Sequence, residues 1–520
     1  MKLTIKDTYN KELPEDPILE NTPRQVSGAC YSYVTPKKTT NPELIHVSPD
    51  MLAEIGLTLE DSKTAIFTET FTGNSLLPNT KPYAMCYGGH QFGNWAGQLG
   101  DGRAINLAEV EYQSKHWALQ LKGAGPTPYS RTADGLAVLR SSIREYLCSE
   151  AMHHLGVPTT RALSLSLTGD NVLRDILYNG NPAYEKGAVV CRVAPSFIRF
   201  GNFQIFAARQ DIKNLKKLTD YTIRHFFSHL GAPSKAVYLQ FFKEVMLRNL
   251  DMVIHWQRVG FVHGVMNTDN MSILGLTIDY GPYGWLEGYD AGWTPNTTDR
   301  QYKRYRFGNQ ADIVLWNLYQ LANALYPLIE ESQGLEAILE EYTDVYAQKY
   351  AAMMRSKLGL QTSNEKDIVL IHNLEENLQE SETDMTIFFR NLSNFNSDKY
   401  NEGLQIVWDA FYNTDEITET IKQKWNSWFK NFAERVKQEK VAPKERKEKM
   451  NLVNPKYVLR NYMAQLAIEA AEKGDYLLID ALFKLLKNPY KEQIENKKWF
   501  AKRPDWARDK VGCSMLSCSS

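Results

Sequence analysis

Polar residues that could bind a metal ion lie in the segment HGVMNTDNMSILGLTID, residues 263–279. Two apolar stretches within it, residues 271–274 and 276–278, predict the short strands of a hairpin that would bring Asn270 and Asp279 to one edge. Amide and carboxylate oxygens are ligands that hard divalent cations prefer, with water and nucleotide phosphates completing the coordination. The segment therefore predicts a site for Mg²⁺ or Mn²⁺.

The same segment has the spacing of a protein-kinase catalytic loop. His263 and Asn270 match the His and Asn of that motif, and the DYG sequence at 279–281 takes the place of its D-F-G. Val265, however, stands where a kinase carries its catalytic Asp, and a valine cannot accept a proton. Asp269 is the nearby carboxylate that could act as the base. Alternatively, these polar residues are the turn and capping residues of an ordinary loop.

Elements that would position such a site are predicted upstream. Residues 117–122, WALQLK, alternate as a strand does, and Lys122 ends that strand. Apolar residues then recur at helical spacing over residues 136–155, before a glycine and a proline that end the helix. Glu145 lies off the apolar stripe of this helix. It is either solvated or paired with Lys122, as a kinase-like phosphate site requires.

A glycine-rich stretch, YGGHQFGNWAGQLGDGRAINLAEV, comes directly before the strand that ends at Lys122. Glycine lets backbone amides approach phosphates closely, and a kinase carries its phosphate-covering loop at this position. Asp101 and Gly102 predict a hairpin turn. The alternative interpretation is a tight β-hairpin that binds no ligand.

Two further stretches contain residues suited to anions. Asp134 and Gly135 come just before the predicted helix, whose N-terminal amides could bind an anion. Arg192 and Arg199 flank a Pro-Ser turn, and guanidinium groups make bidentate bonds to phosphate. Either arginine could equally form a salt bridge at the surface or between domains.

Together these blocks resemble the selenoprotein O family, which comprises protein-kinase-like proteins that transfer AMP rather than phosphate. The blocks that carry the resemblance lie within residues 87–282 and are YGGHQFGNWAGQLGDGRA, LKGAGPTPYSRTADG, SSIREYL, RVAPSFIRFGNF, HGVMNTDNMS and DYGP. The resemblance implies that ATP is the co-substrate and binds inverted relative to kinases. Its γ-phosphate would be buried and its α-phosphate presented to a Ser, Thr or Tyr hydroxyl of a protein, with pyrophosphate as the leaving group.

The resemblance also implies a role for each matching residue. Asp269 would be the base, Glu145 the partner of Lys122, and Asn270 and Asp279 the metal ligands. The residues that would hold the nucleotide are Gly100, Gly102, Arg103, Lys122, Asp134, Gly135, Arg192, Arg199 and Asp279.

One family feature is altered in this chain. Related bacterial members can join a cysteine near the C-terminus to a cysteine in the activation segment, the stretch that follows DYGP. Here Pro295 stands where that second cysteine is expected. Cys513 and Cys518 could pair with each other or remain free thiols, so the sequence does not support redox control.

The predicted fold class is α+β, with a kinase-like two-lobed fold. Residues 1–81 are expected to form an N-terminal extension packed on the core, 82–187 the small lobe, and 188–328 the large lobe with the catalytic loop. Residues 329–520 are expected to form a helical C-terminal extension with a cysteine-containing tail.

The composition excludes several classes of protein. A formal net charge of −1 over 520 residues argues against nonspecific nucleic-acid binding. Six scattered cysteines do not form a disulfide framework, and no apolar run is long enough to span a membrane. The first twenty residues carry several acids and no arginine, which disfavours a secretory or mitochondrial leader. A cytoplasmic enzyme is expected.

Three functions remain open from the sequence. The first is a protein adenylyltransferase, with UTP as a second candidate donor. The second is a kinase that acts on a protein or a small molecule, and Val265 stands against it. The third is a non-catalytic nucleotide-binding pseudokinase. A pseudokinase would not need Lys122, Glu145, Asn270 and Asp279 together.

Overall fold

The computed structural model describes residues 1–176 and 180–517. Helices and strands are both abundant, which confirms the predicted α+β class. The strands are β1 Tyr31–Tyr33, β2 Glu43–Val47, β3 Tyr83–Met85, β4 Gly88–Gln91, β5 Asn94–Gln98, β6 Ala104–Tyr112, β7 Lys115–Lys122, β8 Ala137–Val138, β9 Arg161–Arg174, β10 Ala183–Ala194, β11 Phe261–Val262 and β12 Gly284–Trp285.

The α-helices are most numerous after the last strand of the main sheet. They are α1 Tyr9–Glu12, α2 Pro49–Glu54, α3 Leu59–Ser62, α4 Ala65–Thr72, α5 Leu139–His154, α6 Phe200–Ala208, α7 Ile212–Phe226, α8 Lys235–Val259, α9 Gln310–Ile329, α10 Ser332–Leu358, α11 Asp367–Glu380, α12 Met385–Leu392, α13 Gly403–Ile406, α14 Glu419–Lys437, α15 Pro443–Val453, α16 Asn461–Glu472 and α17 Leu477–Leu486. Short 3-10 helices that matter below are Thr268–Asn270, Thr297–Asp299 and Phe307–Asn309.

The main sheet is antiparallel and has the strand order β1-β3-β6-β7-β10-β9-β2. The short strand β8 also belongs to this sheet and pairs with one end of β10. In the pairing of β7 with β10, Gln120 lies opposite Arg192 and Lys122 opposite Val190. Residues directly opposite each other point to the same side of a sheet, and so do residues two apart along one strand. Gln120 and Lys122 are two apart, so Lys122 and Arg192 share one face. That face packs on α5.

The first 81 residues contribute to this sheet. Both of its outermost strands, β1 and β2, come from them, and so do the helices α2 and α4 that pack on the face opposite α5. Phe67 and Phe71 of α4 are fully buried in a cluster with Leu119 and Leu121 of β7. Strand β10 continues through position 187, where the sequence predicts the end of the small lobe. The domain boundaries themselves stay predictions.

Residues 271–278 do not form the two strands that the sequence predicts. They make a tight loop in which one antiparallel bridge joins Met271 to Thr277. Gly275 at the turn has φ +68°, and a side chain there would meet the backbone of Arg248 at 2.7 Å. The chain therefore reverses by close packing on α8 rather than by a strand ladder.

The C-terminal part of the described chain packs on the segment that follows DYGP, at Glu287 and at Pro295. Glu287 is buried, accepts a backbone hydrogen bond from Met385 at 3.1 Å, and places Oε2 3.3 Å from Nη1 of Arg503. Further along, the backbone N–H of Leu516 donates to the carbonyl of Pro295 over 3.2 Å. The end of the described chain thus packs directly on this segment.

Cys513 is a buried free thiol, and no disulfide joins the cysteines of the described residues. Cys518, with the two serines after it, lies outside the described residues, so the alternatives for these two thiols stay open. None of the helices within residues 1–176 and 180–517 has the length and apolar character needed to cross a membrane.

Candidate active site

A cavity of about 690 Å³ lies between the main sheet and the loop that contains Asp269. It brings together almost all the residues that the sequence singles out. Those that line it are Gly100, Gly102, Arg103, Lys122, Asp134, Gly135, Arg192, Asp269, Asn270 and Asp279. Glu145 and Arg199 do not line the cavity themselves but form ion pairs with the lining residues Lys122 and Asp279, respectively.

The predicted ion pair between Lys122 and Glu145 is confirmed. Nζ of Lys122 lies 2.5 Å from Glu145 Oε2, and the glutamate side chain is only 2% exposed. Glu145 also receives Nη1 of Arg192 at 3.1 Å. Burial lowers the pKa of Lys122, and the charge of Glu145 opposes that effect. Glu145 therefore holds two cations at the cavity wall and is not a solvated helix residue.

Asp279 receives both of the arginines that flank the Pro-Ser turn. Arg192 donates to Oδ1, and Nη1 of Arg199 donates to Oδ2 over 2.5 Å. Burial alone would raise the pKa of Asp279, but the charges of Arg199, Arg192 and Lys122 hold it well below its usual range. The two arginines thus form their ion pairs inside the site and not at the surface.

The predicted turn at Asp101 and Gly102 is wrong. The turn of the glycine-rich hairpin lies between β4 and β5, at Phe92 and Gly93, whose φ values are +50° and +86°. Asp101 is instead a buried acceptor, and its Oδ2 receives the backbone N–H of Met85 at 3.0 Å. A two-residue turn in which both φ angles are positive matches the right-handed twist of the two strands that it joins. Phenylalanine rarely adopts a positive φ.

The hairpin lies against residues 267–269, part of the loop that the sequence predicts to be catalytic. The backbone N–H of His90 donates to Thr268 Oγ1 at 2.7 Å, and that of Phe92 donates to Asn267 Oδ1 at 3.2 Å. Gln91 Nε2 donates to Asp269 Oδ2 at 3.2 Å. The glycine-rich stretch is therefore a cover over the loop that carries the candidate base.

Asp269 has the environment of a poised base. Its side chain is buried, and burial raises its pKa to about 6, against the opposing effects of Gln91 and Arg199. Oδ1 of Asp269 has no hydrogen-bond partner within the described chain. Asp269 lines the cavity, its Oδ1 is buried beside Gly89 without a partner among the described residues, and a carboxylate with this raised pKa can accept a proton near neutral pH.

The residues predicted to bind a metal are suited to Mg²⁺ or Mn²⁺ by donor type. Asn270 Nδ2 donates to the carbonyl of Val265 over 2.9 Å, which leaves Oδ1 of Asn270 to act as a ligand beside the Asp279 carboxylate. No cluster of three or more His, Cys, Asp or Glu side chains suitable for a metal occurs in the described residues. A metal here would need further oxygens, such as those of nucleotide phosphates.

Asp134 and Gly135 do not precede the helix as the sequence predicts, because β8 intervenes and α5 begins at Leu139. Asp134 pairs with Arg174 at 2.8 Å, and its carboxylate accepts the backbone N–H of Leu136. Gly135 has φ +71° and lies so close to Gly125 that a side chain would overlap that backbone. Packing within this loop therefore accounts for the glycine.

Among the cavity residues that escape the sequence analysis are Arg131, Gln91 and Asn267. Their sequence signal is only their place in the loop before α5, in the glycine-rich stretch and in the loop that contains Asp269. Arg103, which the resemblance does include, also lines the cavity. Neither Arg103 nor Arg131 forms an ion pair with a residue that the structure describes. The role of Arg103 stays a prediction.

Comparison with known proteins places the whole chain in one group. Residues 18–487 match the family model described as Protein adenylyltransferase SelO. A protein of Flavobacterium johnsoniae named Protein nucleotidyltransferase YdiU is 62% identical over 519 residues, covering 100% of this chain and 99% of the relative. Proteins of the same name from Aromatoleum aromaticum and Rhodopirellula baltica are 52% and 53% identical, each over 100% of this chain and 99% of their own length. The chain therefore belongs to the SelO family of protein nucleotidyltransferases.

Proposed function

We propose that this enzyme transfers AMP from ATP to Ser, Thr or Tyr hydroxyls of proteins, within a kinase-like two-lobed fold. The observation that carries the proposal is that the carboxylate on the catalytic loop lies at position 269 and not at position 265, where a kinase has its base. Val265 fills the position of the kinase base with a buried apolar side chain, whereas Asp269 offers a buried carboxylate with a pKa of about 6. A base with this pKa is mostly ionised at neutral pH and still able to take up a proton.

The distribution of charge supports an inverted nucleotide. Lys122 and Arg192 are buried on the sheet side of the cavity, and Arg103 and Arg131, which have no ion-pair partner among the described residues, line the same cavity. Cations at this wall would neutralise the β- and γ-phosphates. The α-phosphate would then lie toward the loop that carries Asp269. This orientation makes pyrophosphate the leaving group.

The transfer step follows from that orientation. The hydroxyl oxygen of the protein substrate attacks the α-phosphorus and forms a new P–O bond, while its proton passes to a carboxylate oxygen of Asp269. The bond between the α-phosphorus and the bridging oxygen of the β-phosphate breaks. That oxygen keeps the electron pair, and Lys122, Arg103 and Arg192 stabilise the charge on the departing pyrophosphate.

Asn270 and Asp279 would hold Mg²⁺ or Mn²⁺ together with phosphate oxygens. When bound, such an ion neutralises phosphate charge and makes the phosphorus more electrophilic. Because Arg192 and Arg199 already occupy both oxygens of Asp279, the carboxylate must be shared between these guanidinium groups and the ion.

The test uses ATP labelled at either the α- or the γ-phosphate, with purified protein and a cell lysate as the source of acceptors. Protein-bound label is expected from the α-position only, and α-labelled UTP in a parallel reaction measures the donor preference. Label from the γ-position only would identify a kinase instead, and label from neither would identify a pseudokinase.

Asp269→Asn is expected to slow α-labelling by about 10²- to 10⁴-fold while retaining bound ATP. Asp344→Asn, at an exposed position on α10, is the matched control and should label as the parent enzyme does.

A further inference from the structure

A run of cations lies beside the catalytic loop but outside the cavity. Arg300, Lys303, Arg304 and Arg306 occur within the sequence DRQYKRYRF, between the 3-10 helices Thr297–Asp299 and Phe307–Asn309. Arg300 and Lys303 are exposed, and Arg304 and Arg306 are half-buried. We call these four residues the basic strip.

The fold uses these charges without ion pairing, since Arg304 and Arg306 oppose the rise in the pKa of Asp299 that burial causes. Within residues 1–176 and 180–517, none of the four forms an ion pair, although most other charged clusters of the chain do. Arg304 stacks over the ring of Trp316 with 4.7 Å to its centroid, and Arg306 donates only to the carbonyl of Lys303. The acid of this segment, Asp299, is buried and accepts the backbone N–H groups of Arg304 and Tyr305.

The strip is fixed beside the site of transfer. The hydroxyl of Tyr305 donates to Asn267 Oδ1 over 2.5 Å, and the backbone N–H of Phe92 donates to that hydroxyl over 3.0 Å. Asn267 is two residues before Asp269 on the same loop. At the hairpin turn, a side chain on Gly93 would lie 3.4 Å from the guanidinium carbon of Arg304. Through Tyr305 and Arg304 the basic strip thus contacts Phe92 and Asn267, which line the cavity, and the turn glycine beside Phe92.

We propose that the basic strip binds aspartate and glutamate side chains next to the hydroxyl that is modified, so that the enzyme selects acidic segments of proteins. This inference rests on the proposed function. The phosphates of ATP have their own cations inside the cavity, which leaves the strip for a second anion. The chain as a whole is nearly neutral, with a formal net charge of −1, so four cations within seven residues are a local excess of positive charge. Charged groups at the rim of an interface govern partner choice and association rate.

The test compares three peptide libraries that have a central Ser, Thr or Tyr flanked by Asp and Glu, by Gln, or by Lys. Transfer from α-labelled ATP is measured as kcat/KM for each library. The parent enzyme is expected to favour the acidic library over the Gln library by about tenfold, because exposed ion pairs each contribute little. Added salt should reduce this preference by screening.

Arg300→Glu combined with Lys303→Glu should reverse the preference toward the Lys library and leave the affinity for ATP unchanged. The matched control is Lys444→Glu combined with Lys447→Glu, an exposed pair with the same spacing on α15, which should keep the acidic preference.

Equal transfer to the three libraries by the parent enzyme would overturn the inference and leave nucleotidyl transfer standing. Stronger inhibition by single-stranded DNA than by polyglutamate of equal charge would also overturn it, because the strip would then select phosphates. Absence of α-label on every library, with ATP still bound, would overturn the proposed function itself.

Discussion

The side-chain amide of Gln91 donates a hydrogen bond to Oδ2 of Asp269 over 3.2 Å. This bond joins the turn end of the glycine-rich hairpin to the carboxylate that we propose as the base. Gly89 on the same strand approaches so closely that a side chain there would lie 2.9 Å from Oδ1 of Asp269. The hairpin thus fixes the proposed base as well as lining the cavity in which we propose that the nucleotide binds.

Gln91→Ala is expected to raise the pKa of Asp269 above about 6. The hydrogen bond from Gln91 stabilises the ionised carboxylate, and the variant lacks it. The base works only when ionised, so the acidic limb of the pH profile of kcat should move to higher pH. At pH 6 we expect kcat to fall several-fold and the KM for ATP to stay constant. Steady-state transfer rates between pH 5 and pH 8 measure this.

Asn94→Ala is the control for that variant, since Asn94 is an exposed amide on the same hairpin that does not contact Asp269. If Gln91→Ala lowers kcat equally at every pH, Gln91 acts through the fold of the hairpin and not through the base.

Asp269→Asn is expected to remove the acidic limb altogether. The transfer rate of the parent enzyme should rise with pH up to about 6 and then level off, as the raised pKa of Asp269 requires. The variant should be slower by about 10²- to 10⁴-fold, the usual contribution of a general base. An acidic limb that persists in the variant would show that another group accepts the proton.

Asp279→Asn is expected to abolish transfer and to lower the affinity for Mn²⁺, measured by electron paramagnetic resonance of the free ion. Asparagine tolerates the φ of +57° at this position, so the backbone should be kept. The loss of an acceptor for two buried arginines should cost about 2 kcal/mol in the free energy of unfolding by urea. Unaltered Mn²⁺ binding would exclude Asp279 as a ligand.

The pH dependence of that destabilisation has a defined sign. The folded pKa of Asp279 is depressed, so its contribution to stability is present above the unfolded pKa of about 3.9 and is lost as pH falls below it. The difference between parent and variant should therefore be constant from pH 5 to pH 8.

Glu287→Gln is expected to stabilise the protein at alkaline pH. Burial raises the pKa of Glu287 to about 7, and nearby Arg460 and Arg503 only partly oppose this. Between its unfolded pKa of about 4.3 and 7, the folded state binds the extra proton, so this residue makes stability fall as pH rises. Relative to the parent, the variant should gain at most about 1.4 kcal/mol per pH unit over that range, and nothing below pH 4. Urea unfolding at pH 5 and pH 8 tests this.

Local sequence patterns predict the elements that carry Lys122 and Glu145. Alternation over β7 and helical spacing over α5 are strong signals, because each element buries an apolar face, and the ion pair follows from their packing. The spacing of His263, Asn270 and Asp279 likewise points to the loop that lines the cavity.

Contacts between distant parts of the chain are the ones that the sequence does not reveal. The turn lies at Phe92, whose positive φ is held by hydrogen bonds to Asn267 and Tyr305, and no propensity predicts it. The Asp101-Gly102 signal fails because Asp101 is needed as a buried acceptor. Position in the sequence also cannot show that Gln91 reaches Asp269, because tertiary packing alone makes that contact.

Both outermost strands of the main sheet, and the helices that cover one of its faces, are supplied by residues 1–81. A fragment that begins at residue 82 would expose the side chains of Leu119 and Leu121 to solvent. It would also leave two strand edges unpaired, with which other chains could form hydrogen bonds. We expect such a fragment to precipitate before it can be assayed. Lys122, which we propose to contact the nucleotide, is therefore carried by a strand whose packing depends on residues more than 40 positions earlier in the chain.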